Sequence, residues 1–307
     1  MDLAIITSQQ VLILFILIAA GYICGKTGAI KIDDKKALSN VLIYLVVPAM
    51  VISSYMREFD SSSFKNLLNA FCLSFIMIML GLIVTLVFTC KMKSKDKNIL
   101  RFACIFSNAA YMGFPLINAM FGDEGILYAS AFLTVYNILL WTVGYGMVTE
   151  KMHLAEITHS ILTCPVIIAV ALGLIIYLGR INIPTVISSP ISSLGDMNTP
   201  ISMVITGLTI AGSNLGTLIR NKNLFVVIAL RMFAIPIICF GILYLSDIRG
   251  IVPMVIVILE ACPSAAITTM FAIQFNHNED LAAGSVVFTT LLSILTLPLY
   301  TLLASSI

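Results

Sequence analysis

The sequence predicts an all-α polytopic membrane protein, with ten transmembrane helices arranged as two inverted five-helix repeats in which helices 4 and 9 are broken. Three observations predict it. Hydrophobic residues make up 60% of the 307, charged residues only 10%, and the mean hydropathy is +1.06, far more apolar than a soluble core of this length requires. Apolar runs of roughly 18–25 residues, each long enough to cross a ~30 Å hydrocarbon layer, follow one another along the chain. Interrupted apolar segments stand in matching places of the two halves, Ser107-Asn108-Ala109-Ala110-Tyr111-Met112-Gly113-Phe114-Pro115 and Glu260-Ala261-Cys262-Pro263-Ser264-Ala265-Ala266.

The first run, 10–24, follows Asp2 rather than a basic segment and leads into Gly25-Lys26-Thr27-Gly28 without a small-residue cleavage pattern, so it reads as a mature helix and not a cleaved leader. Runs 37–56 and 67–90 come next. The fourth, 99–121, carries the first broken segment and stops at the acidic turn Asp123-Glu124, after which 126–148 forms the fifth. The second half repeats the series with 161–178, 191–213, 224–245, 251–275 and 281–303, the ninth of which holds Pro263. Proline lacks a backbone donor and clashes with the preceding turn, so a membrane helix carrying one leaves backbone groups unpaired. Such groups are tolerated only beside a cavity, and a break that recurs in both halves points to a substrate site.

The short connections set an orientation. Those after helices 1, 3, 5, 7 and 9 hold Lys26, Lys31, Lys35, Lys36, Lys91, Lys93, Lys95, Lys97, Arg101, Lys151, Arg220 and Lys222, whereas the opposite side has only Arg57, Lys65, Arg180 and Arg249. The positive-inside rule then places the basic side in the cytoplasm of a cell membrane and both termini outside it. A net charge of +2 gives no reason to expect nucleic acid as a partner. The seven cysteines are scattered through apolar runs with no C-x-x-C pair, and read as packing residues rather than disulfides or metal ligands. His153, His159 and His277 fall in connections, where solvated loop residues are expected.

An internal repeat shows at an offset of 152: Gly21 matches Gly173, Pro48 matches Pro200, and the same offset pairs Asn108 with Glu260. By Asp123-Glu124 and Glu279-Asp280 the offset has drifted to 156. Residues 1–150 form the first five-helix repeat and 151–307 the second. Five is odd, so the second copy crosses the membrane in the opposite sense, which places both broken helices near the midplane with half-helix ends aimed at one cavity. Positive helix ends there suit an anion.

The stretch from Ile105 through Asp123 resembles the fourth-helix signature of the auxin efflux carrier family, which includes plant auxin exporters and bacterial permeases for malate or malonate. A second region resembles the family as well: Ala261-Cys262-Pro263-Ser264-Ala265, then Phe275-Asn276-His277-Asn278-Glu279-Asp280, Val286-Val287-Phe288-Thr289-Thr290-Leu291 and Leu297-Pro298-Leu299. The resemblance covers essentially the whole chain. It implies a crossover fold in which helices 1, 2, 6 and 7 form a scaffold and helices 3–5 and 8–10 move against it, carrying substrate by elevator-type alternating access. It assigns Asn108 and Pro263 to the substrate site and puts a further asparagine near Asn214. Two departures stand out. Ser107 occupies a position where plant carriers have Pro, so the fourth helix is expected to break through Ser107-Asn108 and Gly113-Phe114-Pro115. The long central cytoplasmic loop of many plant members is also missing.

Together these readings nominate Ser107, Asn108, Tyr111, Pro115, Asn214, Pro263 and Ser264 for substrate binding, with Asn108, Ser264 and backbone donors freed around Pro115 and Pro263 holding a carboxylate. Glu260, three residues before Pro263, is costly as an intramembrane carboxylate and therefore reads as a functional group. A bound proton or Na⁺ accompanying the substrate is one role; a protonated side chain bonded to a carbonyl, or a pair with Arg231, are the others. Arg231 reads as an interfacial anchor or structural pair, or as a substrate counter-charge. Asp196 reads as a helix-start residue at the outer end of helix 7, and Asn137 and Trp141 as packing groups. The expected activity is secondary transport of small organic anions, dicarboxylates such as malate or malonate first, with auxin-like aromatic carboxylates or ion conduction as alternatives. No cofactor is expected beyond a coupling ion, and the expected partners are the anion, the lipid bilayer and a second copy in a homodimer. An intramembrane enzyme does not fit, because there is no H-E-x-x-H, no His within a run to activate a Ser, and no pair of intramembrane aspartates.

Overall fold

A lipid environment forces each segment to satisfy its own backbone N–H and C=O groups, and the chain answers with helices. A computed structural model describes residues 3–149, 158–159, 161–213 and 215–307, and among them the sole extended pairing is one antiparallel bridge between Ser107 and Ser264. The helices are α1 (Leu3–Thr27), α2 (Ile32–Tyr55), α3 (Ser61–Thr89), α4 (Lys97–Ile105) and α5 (Ala109–Thr149). They continue with α6 (Pro165–Leu178), α7 (Thr185–Asp196), α8 (Asn198–Ala211), α9 (Lys222–Leu245), α10 (Ile251–Ala261), α11 (Ile267–Gln274) and α12 (Glu279–Ala304). Six stretches among the described residues, in α1, α2, α3, α5, α9 and α12, are long and apolar enough to cross a membrane, and α6 and α10 are shorter apolar helices. The molecule is thus an all-helical, multi-pass membrane protein.

Local chemistry starts and bends these helices. Asp60, Asn221 and Asn278 cap α3, α9 and α12 by accepting from the backbone N–H of Ser63, Asn223 and Leu281. Gly122, with φ 57° and ψ −148°, divides α5 into limbs 109–121 and 123–149, a conformation that a side chain would resist. Pro48, Pro115 and Pro236 each follow a widened π turn, at Leu42–Val46, Ala109–Gly113 and Leu230–Ala234. The cause is shared: proline's ring displaces the carbonyl four residues back, and the helix opens by one residue to accommodate it.

Packing then fixes the layout. The most extensive helix pair is α1 with α8, which cross closely because Gly21 meets the Val204 backbone and Gly207 meets the Ile18 carbonyl; a methyl group at either position would have no room. The pairs α2–α6 and α3–α5 follow, and α10 packs on α3, α5 and α12. Along α3 the face bearing Leu67, Ala70, Met77, Ile78 and Gly81 is buried, whereas Leu68, Phe75, Ile76, Ile83 and Phe88 are exposed. In water that outer face would be a liability; against acyl chains it is the expected surface.

The sequence expectation differs from the structure in two places outside the breaks. The run 191–213 belongs to two helices, α7 and α8, joined at Met197, and Asp196 ends α7 in an exposed position rather than starting a helix. His277 is half-buried and bonds the Val148 carbonyl through Nε2 at 2.7 Å, while His159 is exposed; Lys151 and His153 lie outside the described residues.

Candidate functional site

The site grows out of the two helix breaks. Cys262, held extended by the following Pro263 (φ −62°, ψ 151°), ends α10, and Phe106, also extended (φ −92°, ψ 115°), ends α4. The freed segments then pair with each other. Asn108 N–H donates to the Pro263 carbonyl at 2.7 Å and Ala265 N–H to the Phe106 carbonyl at 2.9 Å, forming the Ser107–Ser264 bridge. Ser264 adds two bonds, its hydroxyl to the Ala103 carbonyl at 2.9 Å and its N–H to Thr289 Oγ1 at 3.0 Å.

Each break leaves a C-terminal helix end with spare carbonyls on one side of the crossing, and Arg231 collects them. Its guanidinium donates to the carbonyls of Cys104 (3.1 Å) and Ile105 (3.0 Å) from α4, and of Cys262 (2.9 Å) and Glu260 from α10. It also meets the Glu260 carboxylate, Nη2 to Oε2, at 3.3 Å. Arg231 is 0% exposed and Glu260 1% exposed, while Glu260 Oε1 is buried without a partner. Arg231 therefore does not reach an interface, and among the roles read for Glu260 the structure displays the pair with Arg231. The π turn before Pro236 contains Arg231, and the Met232 carbonyl, four residues before that proline, accepts from the buried Tyr300 hydroxyl at 2.7 Å.

On the other side of the crossing, where α5 and α11 begin, lies a narrow cavity of about 280 Å³ including its open mouth. Its lining comes from four places: Asn108 and Tyr111, then Ile205, Thr206, Thr209 and Ile210 of α8, then Ala266, then Val286, Val287 and Thr290 of α12. Among the described residues, no charged side chain lines it. Thr206 and Thr209 spend their hydroxyl protons on the carbonyls of Ser202 and Ile205, both at 2.9 Å, and so face a ligand as acceptors. Tyr111 lies against Ser39. Thr290 Oγ1, 1% exposed, has no partner, and the Asn108 amide is 6% exposed at the N-terminus of α5. A side-chain amide with two donors and an unpaired hydroxyl are what a carboxylate requires in a site without water.

Of the residues nominated from sequence, Asn108 and Tyr111 line this cavity. Ser107 and Ser264 form the bridge behind it, Pro263 contributes a carbonyl to that bridge, Pro115 is buried at the start of a helical stretch, and Glu260 faces Arg231 instead. Asn214 lies outside the described residues. Thr206, Thr209 and Thr290 went unnominated because a threonine in an apolar helix ordinarily bonds its own preceding turn and gives no signal of its own.

The two broken helices of this multi-pass domain meet beside a small polar cavity, and the family to which the chain belongs makes it a membrane transporter. The chain belongs to the membrane transport protein family, whose pattern matches residues 6–161 and 152–301, and this is the auxin efflux carrier-like family that the two motif regions resemble. It is similar to an uncharacterized transporter of Methanocaldococcus jannaschii, 24% identical over 96% of this chain and 98% of that one. It is also similar to an uncharacterized transporter of Methanothermobacter thermautotrophicus, 26% identical over 96% and 97%.

Proposed function

We propose that the protein is a secondary carrier of small organic carboxylates, built as ten transmembrane helices in two inverted repeats and working by elevator-type alternating access. One observation carries this reading: the cavity lies where both helix breaks meet and takes residues from both halves of the chain, Asn108 and Tyr111 from the first and Thr206, Thr209, Ala266 and Thr290 from the second. Two further features support the repeat. The bridged serines, Ser107 and Ser264, lie 157 residues apart, close to the spacing of the two acidic turns, and the antiparallel sense of their pairing is the one two inverted copies would give. Gly21 packs on Val204 of α8, and its counterpart Gly173 in α6 packs on Tyr55 of α2, so the two contacts exchange when the halves are exchanged. On this reading α1, α2, α6, α7 and α8 form the scaffold and the crossed helices move with α3, α9 and α12.

The free space within it admits about one water, so the cavity must widen to take an organic anion, as alternating access requires. Resemblance to compact bacterial members ranks dicarboxylates such as malate or malonate first. The uncharged lining favours a second reading, a monocarboxylate or a singly protonated dicarboxylate, because a dianion would be desolvated there without a counter-charge. Counterflow in reconstituted vesicles over labelled mono- and dicarboxylates separates the two: malonate flux that rises as the pH falls through its second ionisation marks the monoanion, and flux that falls with the dianion fraction marks the dianion. Saturation and counterflow also distinguish a carrier from a channel.

The basic asymmetry of the connections supports a cytoplasmic side bearing Lys91–Lys97 and external termini. In a cysteine-free background, Ser62→Cys and Ser306→Cys, both at exposed positions, are expected to react with an external impermeant maleimide and Ser94→Cys to be protected. Labelling of the Ser94 site from outside reverses the orientation.

A further inference from the structure

We infer that Arg231 is the resident cation of the helix crossing: a positioning residue that takes the place a bound alkali-metal ion would otherwise fill, so that the crossed helices hold together without Na⁺. The geometry has three parts. Both α4 and α10 point their C-terminal ends, the negative ends of their dipoles, at the same spot. Five oxygens converge there, the carbonyls of Cys104, Ile105, Glu260 and Cys262 and Oε2 of Glu260, and every one is engaged by Arg231. Broken membrane helices elsewhere use such a set of unwound carbonyls and half-helix C-termini to coordinate Na⁺ or H⁺, and five or more oxygens are what a hard cation takes as ligands.

Here the charge is covalently attached. A guanidinium offers five N–H donors in a planar fork and stays charged in any protein environment, so it neutralises one carboxylate and bonds carbonyls from two helices at once. Its aim depends on the π turn that precedes Pro236, and the bond from Tyr300 to the Met232 carbonyl holds that turn in place. The Asn108 amide starts one residue beyond the bridge that Arg231 braces, so the cation positions the cavity without lining it.

Bracing of the crossing by Arg231 shows in stability, which can be read apart from transport. Thermal unfolding of the purified full-length protein in detergent is measured in NaCl, KCl and choline chloride at equal ionic strength. The wild type is expected to unfold at the same temperature in all three, and stabilisation by Na⁺ over choline overturns the proposal. Arg231→Ala leaves Glu260 buried without its partner and is expected to lower the folded-to-unfolded ratio by roughly a hundredfold or more in choline. Added guanidinium or Na⁺ is expected to recover part of that loss, a response a merely space-filling side chain would not produce. An Arg231→Ala protein that unfolds like the wild type, or that no cation improves, overturns it. Should that variant not accumulate folded, the comparison passes to the double variant Arg231→Ala with Glu260→Gln. Removing both charges is expected to restore folded protein above the level of Arg231→Ala alone, and equal loss in the two overturns the proposal.

Discussion

The two faces of the helix crossing follow opposite rules. Behind it, Arg231 and the carbonyls of α4 and α10 form a set in which nearly every polar atom has a partner, Glu260 Oε1 excepted. In front of it, around Asn108 and Thr290, the polar groups are few, uncharged and in part unpaired. One face is a finished network, and changing it should cost stability. The other has hydrogen-bonding capacity in reserve, and changing it should cost binding. The same two breaks supply both, because every broken helix yields a C-terminal end for a cation and an N-terminal end for an anion.

The largest effect expected from breaking this contrast is at Glu260. Glu260→Ala leaves the Arg231 charge without its counter-ion and is expected to destabilise the protein by ~3–5 kcal/mol, read as a lowered unfolding temperature and poor recovery from membranes. Glu260→Gln keeps the shape and a hydrogen-bonding group, so more of it should fold. If Glu260 also carries a coupling proton, transport by that variant is expected to lose its dependence on a pH gradient; a retained dependence in voltage-clamped vesicles removes the coupling role.

Asn108→Ala is expected to act on the other axis. Losing a charge-assisted hydrogen bond of ~1.5–3 kcal/mol lowers apparent affinity roughly ten- to a hundredfold while the unfolding temperature stays near that of the wild type. Unchanged transport kinetics at equal membrane abundance take Asn108 out of the site, and a drop in stability matching that of Glu260→Ala erases the distinction between the faces. Thr290→Val gives the smallest and sharpest test. Its hydroxyl is unpaired, so a methyl in its place should leave stability unchanged or slightly raised, yet weaken substrate binding by about 0.5–1.5 kcal/mol. A loss of stability with no change in KM would mean that Thr290 packs and does not bind.

Much of this was legible along the chain. Composition and run length established the membrane class, because no other solvent accommodates 60% hydrophobic residues with 10% charge. Pro263 marked the end of α10 correctly, since the residue before a proline is driven to extended backbone wherever it stands. The break before Asn108 was harder to place. Of the two places expected, the chain leaves the helix only at Phe106-Ser107-Asn108, while Pro115, seven residues past Asn108, causes a π turn within a continuing helix. That position is decided by pairing with Pro263 and Ala265, more than 150 residues away.

The sequence by itself determined the class of protein, the all-helical architecture, the two interrupted segments and Asn108 as a polar group at one of them, because periodicity, proline chemistry and hydrophobic length are local properties. Only the tertiary structure decided that Glu260 faces Arg231 rather than the cavity, that Ser264 is spent on backbone bonds, and that Thr206, Thr209 and Thr290 line the site. Each of those depends on which side of a helix meets which neighbour, and in a chain this apolar the neighbour is chosen by close packing between distant segments, such as Gly21 against Val204, and not by any residue's own preference.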